Sequence, residues 1–324
     1  MITTSRHALE IPDFLDGHRL DAALAALCPD YSRTAIKAWI EDGRVEINGA
    51  VRTRARETVY ARDRVEMQAS LAASDTVLAE EISFDVIYED AELLVIDKPA
   101  GLVVHPGAGN REHTLVNGLL YRLPQLAALP RAGLVHRLDK DTSGLLLVAK
   151  TSGALQRLIA AMARRQIHRS YEAIVYGVVQ ASGTIDAAVG RDRLQRTRMR
   201  VATNGRTAVT HYRVVKRFRN HTRLELSLET GRTHQIRVHM QHLGFPILGD
   251  PTYGMQHAPS KTAGQPLLNA LSSLHRQALH AKHLAFDQPR SGEPIEVSSP
   301  LPRDMQRVLR ALRDELRQPT ALAP

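Results

Sequence analysis

"HRLDKDTSGLLLVAK", residues 136–150, sets His136 and four charged side chains directly before an apolar run. Leu145 to Val148, bounded by Thr142-Ser143-Gly144, read as a buried strand. Arg137, Asp139, Lys140 and Asp141 then fall on the loop entering that strand. Such a loop, at the edge of a core, is where binding and catalytic groups are commonly carried. By themselves the same residues also fit a solvated charged turn, so the flanking pattern must decide.

Downstream, Leu155, Leu158, Ile159 and Met162 in "SGALQRLIAAMARRQ" share one helical face. "RSYEAIVYGVV" is rich in β-branched and aromatic residues and reads as a strand. Leu224, Leu226 and Leu228 alternate with Arg223, Glu225 and Ser227, giving a half-buried strand. A turn at Thr230-Gly231 leads to a helix carrying Ile236, Met240 and Leu243. Upstream, "ELLVIDKPAGLVVHPG" offers two apolar strands broken by Pro99-Ala100-Gly101, and Leu115, Leu119 and Leu123 mark a helix. After Gly244 the chain reads as loop to about residue 275, then strands near 281–287 and 294–298. A last helix, 304–317, has Asp304 as its cap. Strands joined by both hairpins and helices predict an α+β fold with a mixed, largely antiparallel sheet.

The N-terminal part differs. Leu20, Leu24 and Leu27 recur at helical spacing, and Ser32 can cap a second helix with Ile36 and Ile40 on one face. Val45 and Ile47 then alternate with Arg44 and Glu46 before Asn48-Gly49, a strong hairpin signal. This stretch resembles the S4 domain, a small RNA-binding fold, through Arg19-Leu20-Asp21, Ser32-Arg33, Ile40, Gly43, Val45 and Asn48-Gly49. Where S4 domains usually have Gly-Asp before the last strand, this chain has Arg62-Asp63. The resemblance implies contacts to structured RNA through the second helix and its approach, with Arg33, Lys37 and Arg44 on that face.

Composition narrows the function. The chain has 324 residues, 43% hydrophobic and 24% charged, which suits a soluble protein of two or three domains. One cysteine, Cys28, excludes an internal disulfide framework and a cysteine metal cluster. No signal-peptide pattern opens the chain and no apolar run suggests a membrane span, so a cytoplasmic protein is expected. The net charge of +9 favours an acidic partner, nucleic acid before membrane. From Gly190 to Arg223 basic residues crowd together, Arg196 and Arg198 among them, and Asp192 and no other acid interrupts them. That stretch reads as a phosphate-contacting surface.

Several chemistries lack their signatures. No GxGxxG or GxxxxGK[ST] occurs, and Thr142-Ser143-Gly144 is not a serine elbow. His239 and His242 stand three apart but lack the further ligands of a metal site, so no metal is expected. What remains is a carboxylate in an arginine-rich setting. "HRLDKDTSGLLLVAK" resembles the signature of the pseudouridine synthase family that includes the ribosomal large subunit enzymes A, C and D. "RSYEAIVYG" (169–177), "LETGRTHQIRVHM" (228–240), "GDPTYG" (249–254) and "QALHAKHLAF" (277–286) extend the resemblance, which with the S4 domain covers about residues 16–310. "RTRMRV" and "AVTHYR" are similar to the branch that modifies helix 69 of large-subunit rRNA.

The family's reaction detaches uracil from ribose, turns it and rejoins it through carbon, with no cofactor. Water must be kept out, or hydrolysis would follow. An ionised carboxylate suits attack on the sugar or base, or removal of a proton beside it. The resemblance assigns that role to Asp139. It implies Arg232 as the guanidinium beside Asp139, where such a cation lowers an Asp pKa by roughly 1–3. It also implies Tyr171 as the active-site tyrosine, stacking on the base or taking part in proton removal, and Ile236 as part of the apolar wall. The target base must be extruded, and the resemblance gives Arg137 the part of filling the vacancy. His136 belongs to the substrate side by its place in the motif. From residue types alone, His136 and His234 read as hydrogen-bonded supporting groups, Asp141 as a loop cap, and Arg237 as structural or phosphate-binding.

The expected organisation is an S4-like domain over 16–75, a linker over 76–82, a catalytic domain over 83–317 and a tail over 318–324. The expected partner is 23S rRNA or a large-subunit assembly intermediate, with no membrane, met by a monomer. Two rivals stand beside this reading. One is an RNA-binding assembly factor with dispensable catalysis; within the family itself, the alternative is a synthase C-like paralogue acting on other rRNA uridines. The other is a nucleoside-type glycosidase, which usually needs two catalytic acids where Asp139 alone stands out.

Overall fold

The computed structural model describes residues 3–28, 31, 33–71, 77–107, 109–195, 197–254 and 264–317. Ser32, Arg196 and the segment 318–324 lie outside them. The chain divides into two compact units, Met1–Glu80 with Leu119–Ala132, and Glu81–Gly118 with Gly133–Pro324.

In the first unit, strand β1 (Thr3–Glu10) precedes helices α1 (Leu20–Leu27) and α2 (Arg33–Glu41), and strands β2 (Val45–Ile47), β3 (Ala50–Arg52) and β4 (Arg64–Leu71) follow. The sheet order is β1-β4-β2-β3, with all pairs antiparallel. Leu20, Leu24, Ile36, Ile40, Val45, Val65 and Met67 form its buried core, which matches the helical and alternating patterns of the sequence. Asn48 and Gly49 both take positive φ, 51° and 77°, as a two-residue hairpin turn requires. Arg62 also has a left-handed φ, 69°, at the position where S4 domains usually carry glycine. The turn is therefore kept without the glycine.

Strand β1 was not anticipated. It pairs with β4 from Thr3↔Leu71 to Glu10↔Arg64, so the sheet begins well before residue 16. Residues 6–10 alternate between exposed and half-buried, and such an edge strand carries no hydrophobic signature.

The second unit is built on a sheet of nine strands. In chain order its elements are β5 (Asp85–Glu89), β6 (Leu93–Lys98), α3 (Leu115–Arg122, which crosses into the first unit's segment), β7 (Ser143–Ala149) and α4 (Ser152–Ala163). Next come β8 (His168–Tyr176), β9 (Gly183–Asp186), the hairpin β10 (Val189–Arg191) and β11 (Met199–Val201), β12 (Val209–Arg217), β13 (His221–Leu228) and α5 (Gln235–His242). Helix α6 (Gln265–Ser272), β14 (Leu279–Asp287), β15 (Pro294–Ser298) and α7 (Arg303–Arg317) complete it. The order is β5-β6-β7-β14-β8-β13-β12-β9, with β15 also on β14. Among the described strands only β7 and β14 pair in parallel, so the sheet is mixed and largely antiparallel.

All seven residues of β7 are buried, as its apolar run predicts. Gly144 is required there: with φ 113°, an added Cβ would lie 2.2 Å from the Ala281 carbonyl oxygen of β14. Thr151 caps α4 by accepting the Ala154 N–H at 3.1 Å.

Three expectations need correction. After Pro99-Ala100-Gly101 no second strand forms; instead the carbonyls of Val103 and Val104 accept the Leu115 and Val116 N–H groups that open α3. Helix α6 occupies part of the expected loop, with Pro266 in its first turn and Leu267 and Ala270 buried. Asp304 sits inside the first turn of α7, which begins at Arg303, and is ion-paired to Arg276 as well as accepting the Met305 N–H.

Candidate active site

Asp139 lies on the loop that follows α3 and enters β7, and several buried groups brace that loop. Lys98, at the end of β6, is fully buried, and its Nζ donates to the carbonyls of Pro99 (2.7 Å), Leu102 (2.9 Å) and Lys140 (2.9 Å). Burial pushes the Lys98 pKa down to about 7. The Gly101 N–H donates to the same Lys140 carbonyl, and the Thr142 N–H to that of Asp139. From the β14 side, Gln277 donates to Thr142 Oγ1 at 3.0 Å and Arg276 to the Asp141 carbonyl at 3.2 Å. The charged residues before β7 are thus held at the mouth of a rigid strand.

Helix α5 brings the opposing cation. Gln235 fixes its entry: its amide donates to the Val209 carbonyl and Thr210 Oγ1, while its Oε1 accepts the Thr230 hydroxyl and the Arg232 N–H. Two residues on, in the same first turn, Arg237 Nη1 donates to Asp139 Oδ2 at 3.1 Å. Its Nε and Nη2 grip Asp250 at 2.7 and 2.9 Å. Although burial works against it, the pairing with Asp250 and Asp139 raises the Arg237 pKa. Asp250 Oδ1 also accepts the N–H groups of Thr252 and Tyr253, so "GDPTYG" is the anchor of that arginine.

A second link reaches Asp139 from His234, whose Nε2 lies 3.9 Å from Asp139 Oδ1. Its Nδ1 is hydrogen-bonded to the Tyr253 hydroxyl at 2.8 Å, which itself accepts the Met199 N–H at 2.9 Å. Burial lowers the His234 pKa, opposed by the Asp139 charge. The guanidinium carbons of Arg237 and Arg198 stand 5.0 and 5.3 Å from the Tyr253 ring centroid.

The pairing expected of Arg232 belongs to Arg237. Arg232 precedes α5, and its Nε is spent on the Thr207 carbonyl at 3.1 Å, which turns its side chain from the position that the first helical turn gives Arg237. Both arginines stand in "GRTHQIR"; the resemblance points to the first, and the structure gives the contact to the second. Tyr171, on β8, is buried; burial chiefly raises its pKa, Asp139 adds to that, and Arg169 opposes it. The structure thus brings Tyr171 into the electrostatic reach of Asp139. Ile236 is buried on α5 and Arg137 is exposed beside Asp139. His136 accepts the Leu147 N–H at Nε2 (3.2 Å), and burial with the Arg169 charge lowers its pKa to about 3. It is a neutral imidazole, with its proton on Nδ1.

Of the expected RNA-facing residues, Arg33 is engaged by Asp21 at 2.9 and 3.1 Å, which also holds Arg19 at 2.7 and 3.0 Å. Lys37 pairs with Glu41 at 3.4 Å, and Arg44 lies 3.9 Å from Asp42. Arg198 donates to Gln195 Oε1. Arg196 is outside the described residues. His239 is a structural group, bonded to Thr210 Oγ1 and to the Ala187 carbonyl. Among the described residues no group of three His, Cys, Asp or Glu could hold a metal, and no helix is long and apolar enough to cross a membrane. Lys98, Asp250 and Tyr253 were in quoted motifs, but their hydrogen bonds have no sequence signature.

A family model described as RNA pseudouridylate synthase matches residues 92–242, and one described as the S4 domain matches residues 18–65. The chain is 49% identical to ribosomal large subunit pseudouridine synthase D of Pseudomonas aeruginosa, over 96% of this chain and 97% of that protein. It is 47% identical to the protein of the same name from Escherichia coli, over 93% of each. Among solved structures, human RNA pseudouridylate synthase domain containing 4 is similar with a TM-score of 0.56 and 28% identity, over 71% of this chain and 93% of that one. With an Asp–Arg pair at the mouth of its central strand and an S4 domain ahead of it, this chain belongs to the RNA pseudouridylate synthase family and is an isomerase of that family.

Proposed function

We propose that this enzyme converts specific uridines of 23S rRNA, in helix 69, to pseudouridine, with Asp139 as the catalytic carboxylate. The observation that carries the reading is the Asp139–Arg237–Asp250 chain, which fixes a carboxylate at the mouth of a buried strand. The names of the relatives favour ribosomal RNA as substrate. Isomerisation breaks the N1–C1′ bond, makes a C5–C1′ bond, removes the C5 proton and returns one to N1. Atoms and electrons balance within the nucleotide, so the reaction itself calls for no cofactor.

Asp139 acts at the ribose, by adding to C1′ or by taking the C2′ proton. In either route Arg237 and the braced loop hold its oxygen in place, and pre-positioning of this kind removes much of the entropic barrier. Tyr171, raised in pKa and so a neutral phenol at pH 7, stacks on the base rather than acting as a phenolate. Ile236 supplies apolar wall, and the exposed Arg137 fills the place left by the extruded base. The N-terminal S4-like part, β1 included, adds RNA affinity and the unit built on the nine-stranded sheet carries the chemistry, in a cytoplasmic monomer working on the rRNA or on a large-subunit assembly intermediate.

The test is pseudouridine mapping, by carbodiimide labelling and primer extension, in cells lacking the protein and complemented with wild type or Asp139→Asn. Helix 69 stops should vanish in the deletion and return with wild type alone. Persistence of the stops overturns the target, and full rescue by Asp139→Asn overturns the catalytic role.

A further inference from the structure

Arg169 has no part in the site as built so far, yet its situation is costly. It is 8% exposed, and among the described residues its guanidinium has no hydrogen-bond or ion-pair partner; its Nε is fully enclosed and unpaired. A buried charge without a partner is expensive, far more so than a neutral polar group. Every other buried arginine of this unit is matched: Arg237 by Asp250 and Asp139, Arg276 by Asp304.

The position of Arg169 explains the exception. It stands two residues before Tyr171 on β8, so the two side chains leave the strand on the same face. Space has been left for it at Gly231, where an added Cβ would lie 3.1 Å from Arg169 Nη1. Beside it, His136 is not free to answer the charge: its Nε2 is taken by the Leu147 N–H, and its remaining N–H is directed at the backbone of Arg137. The charge of Arg169 is the main influence on His136 after burial, and it is felt by Tyr171 as well. A buried guanidinium without a partner among the described residues thus stands beside the tyrosine of the site.

We propose that Arg169 receives a backbone phosphate of the RNA strand beside the extruded uridine, so that this buried cation acquires its counter-ion only in the enzyme–RNA complex. The inference rests on the uridine-isomerising reading of the same cleft. A phosphate fits better than an oxygen of the base, because uracil is neutral until the glycosidic bond breaks, whereas the guanidinium is charged throughout. It also gives Gly231 a reason: a side chain there would close the room in which the phosphate meets Arg169. Arg169 is in this view a binding and positioning residue, whose loss weakens RNA affinity first.

The test couples a protein change to a substrate change. Short RNAs carrying the uridine that the wild type converts are made with a neutral methylphosphonate at one phosphodiester at a time, a 2′-O-methyl ribose protecting its 5′ neighbour. Dissociation constants are measured for wild type, Arg169→Gln and Arg169→Lys. Wild type should lose roughly 10- to 100-fold in affinity at one phosphate near the target, the worth of a charge-assisted hydrogen bond. Arg169→Gln should bind the unmodified RNA more weakly by a similar factor and lose nothing further at that phosphate, while Arg169→Lys keeps part of the coupling. The salt slope of Arg169→Gln should fall by about one phosphate contact. Additive losses at every position, or an unchanged affinity for Arg169→Gln, overturn the proposal. Thermal melting separates a structural role: removing an uncompensated charge should leave the melting temperature equal or higher, and a clear drop overturns it as well. If the wild type converts no rRNA segment, the functional reading fails, and the coupling is read on the RNA that it binds most tightly.

Discussion

Arg237 joins Asp139 to Asp250, reaching the first at 3.1 Å and holding the second through two nitrogens at 2.7 and 2.9 Å. The fork shape of a guanidinium is what makes this possible, since a lysine ammonium offers no paired, coplanar donors. Arg237→Lys should therefore lower kcat by ~100-fold or more with RNA affinity changed by only a few-fold. Arg232→Gln, which removes a bond to the Thr207 carbonyl, should cost about 10-fold or less. Single-turnover conversion of an rRNA fragment measures both, and a larger loss for Arg232→Gln would return the Asp139 partnership to that residue.

The choice between these arginines shows where sequence reading stops. The alternation of Leu224, Leu226 and Leu228 and the apolar run of β7 marked their strands because burial imposes a period on side chains. Asp139 was legible as a charged residue against such a run. Which of two arginines faces it depends on where α5 begins, and that start is set by Gln235 bonding back to the Val209 carbonyl and Thr210, a tertiary contact. Strand β1 escaped for a related reason: its partner lies some sixty residues away, and pairing rather than pattern holds it.

Lys98 ties three carbonyls beside the Asp139 loop into one buried knot. Lys98→Met would leave the Pro99 and Leu102 oxygens unpaired, while Lys140 keeps the Gly101 N–H, at about 1–3 kcal/mol for each that stays buried. A displacement of the loop by one ångström is enough for a loss of ~100-fold in turnover. The pH signature is specific as well. With a pKa near 7 in the fold against 10.5 free, Lys98 binds fewer protons when folded than when unfolded between those values. Its burial penalty is complete below pH 7 and is relieved as pH rises, so the stability of wild type relative to Lys98→Met should climb between pH 7 and 10.5. The slope is at most ~1.4 kcal/mol per pH unit, and urea unfolding at several pH values would show it. A difference that is flat over this window would mean that the three carbonyls hold the ammonium charged.

His221 makes the opposite kind of burial. Both of its ring nitrogens are enclosed without partners among the described residues, and burial lowers its pKa to about 4. Its ring lies 5.5 Å from that of Tyr176 on the neighbouring strand, an aromatic setting that a phenyl ring would also fit. His221→Phe should stabilise the catalytic unit by ~1 kcal/mol at pH 7, since it removes two unsatisfied polar atoms, and should leave turnover unchanged. The folded pKa lies below the free value of 6.5, so the unfolded chain takes up the proton first and stability drains away as pH falls from 6.5 toward 4. The substitution should flatten that part of the acid unfolding curve. An unaltered curve would place the acid sensitivity elsewhere.

Asp21 determines what Arg33 can do. Burial would raise the Asp21 pKa, but the hydrogen bonds from Arg33 and Arg19 outweigh it and hold the carboxylate below its usual range. The carboxylate is buried and accepts from both guanidinium forks, so Arg33 is as much a fastener of α1 to α2 as a contact for RNA. Asp21→Asn should lower the melting midpoint of the N-terminal unit by about 5 °C or more. In wild type the contribution is present above the ordinary Asp pKa of 3.8 and is lost as pH falls through the lower, folded value. Arg33→Gln should weaken RNA binding and lower that midpoint together, whereas Lys37→Gln, whose partner Glu41 is an exposed neighbour one helical turn away, should weaken binding with the midpoint held. Scanning calorimetry beside an RNA titration at two salt concentrations separates the two effects. If Arg33→Gln loses affinity with its midpoint intact, Asp21 serves to aim the arginine at RNA and the fold does not depend on the pair.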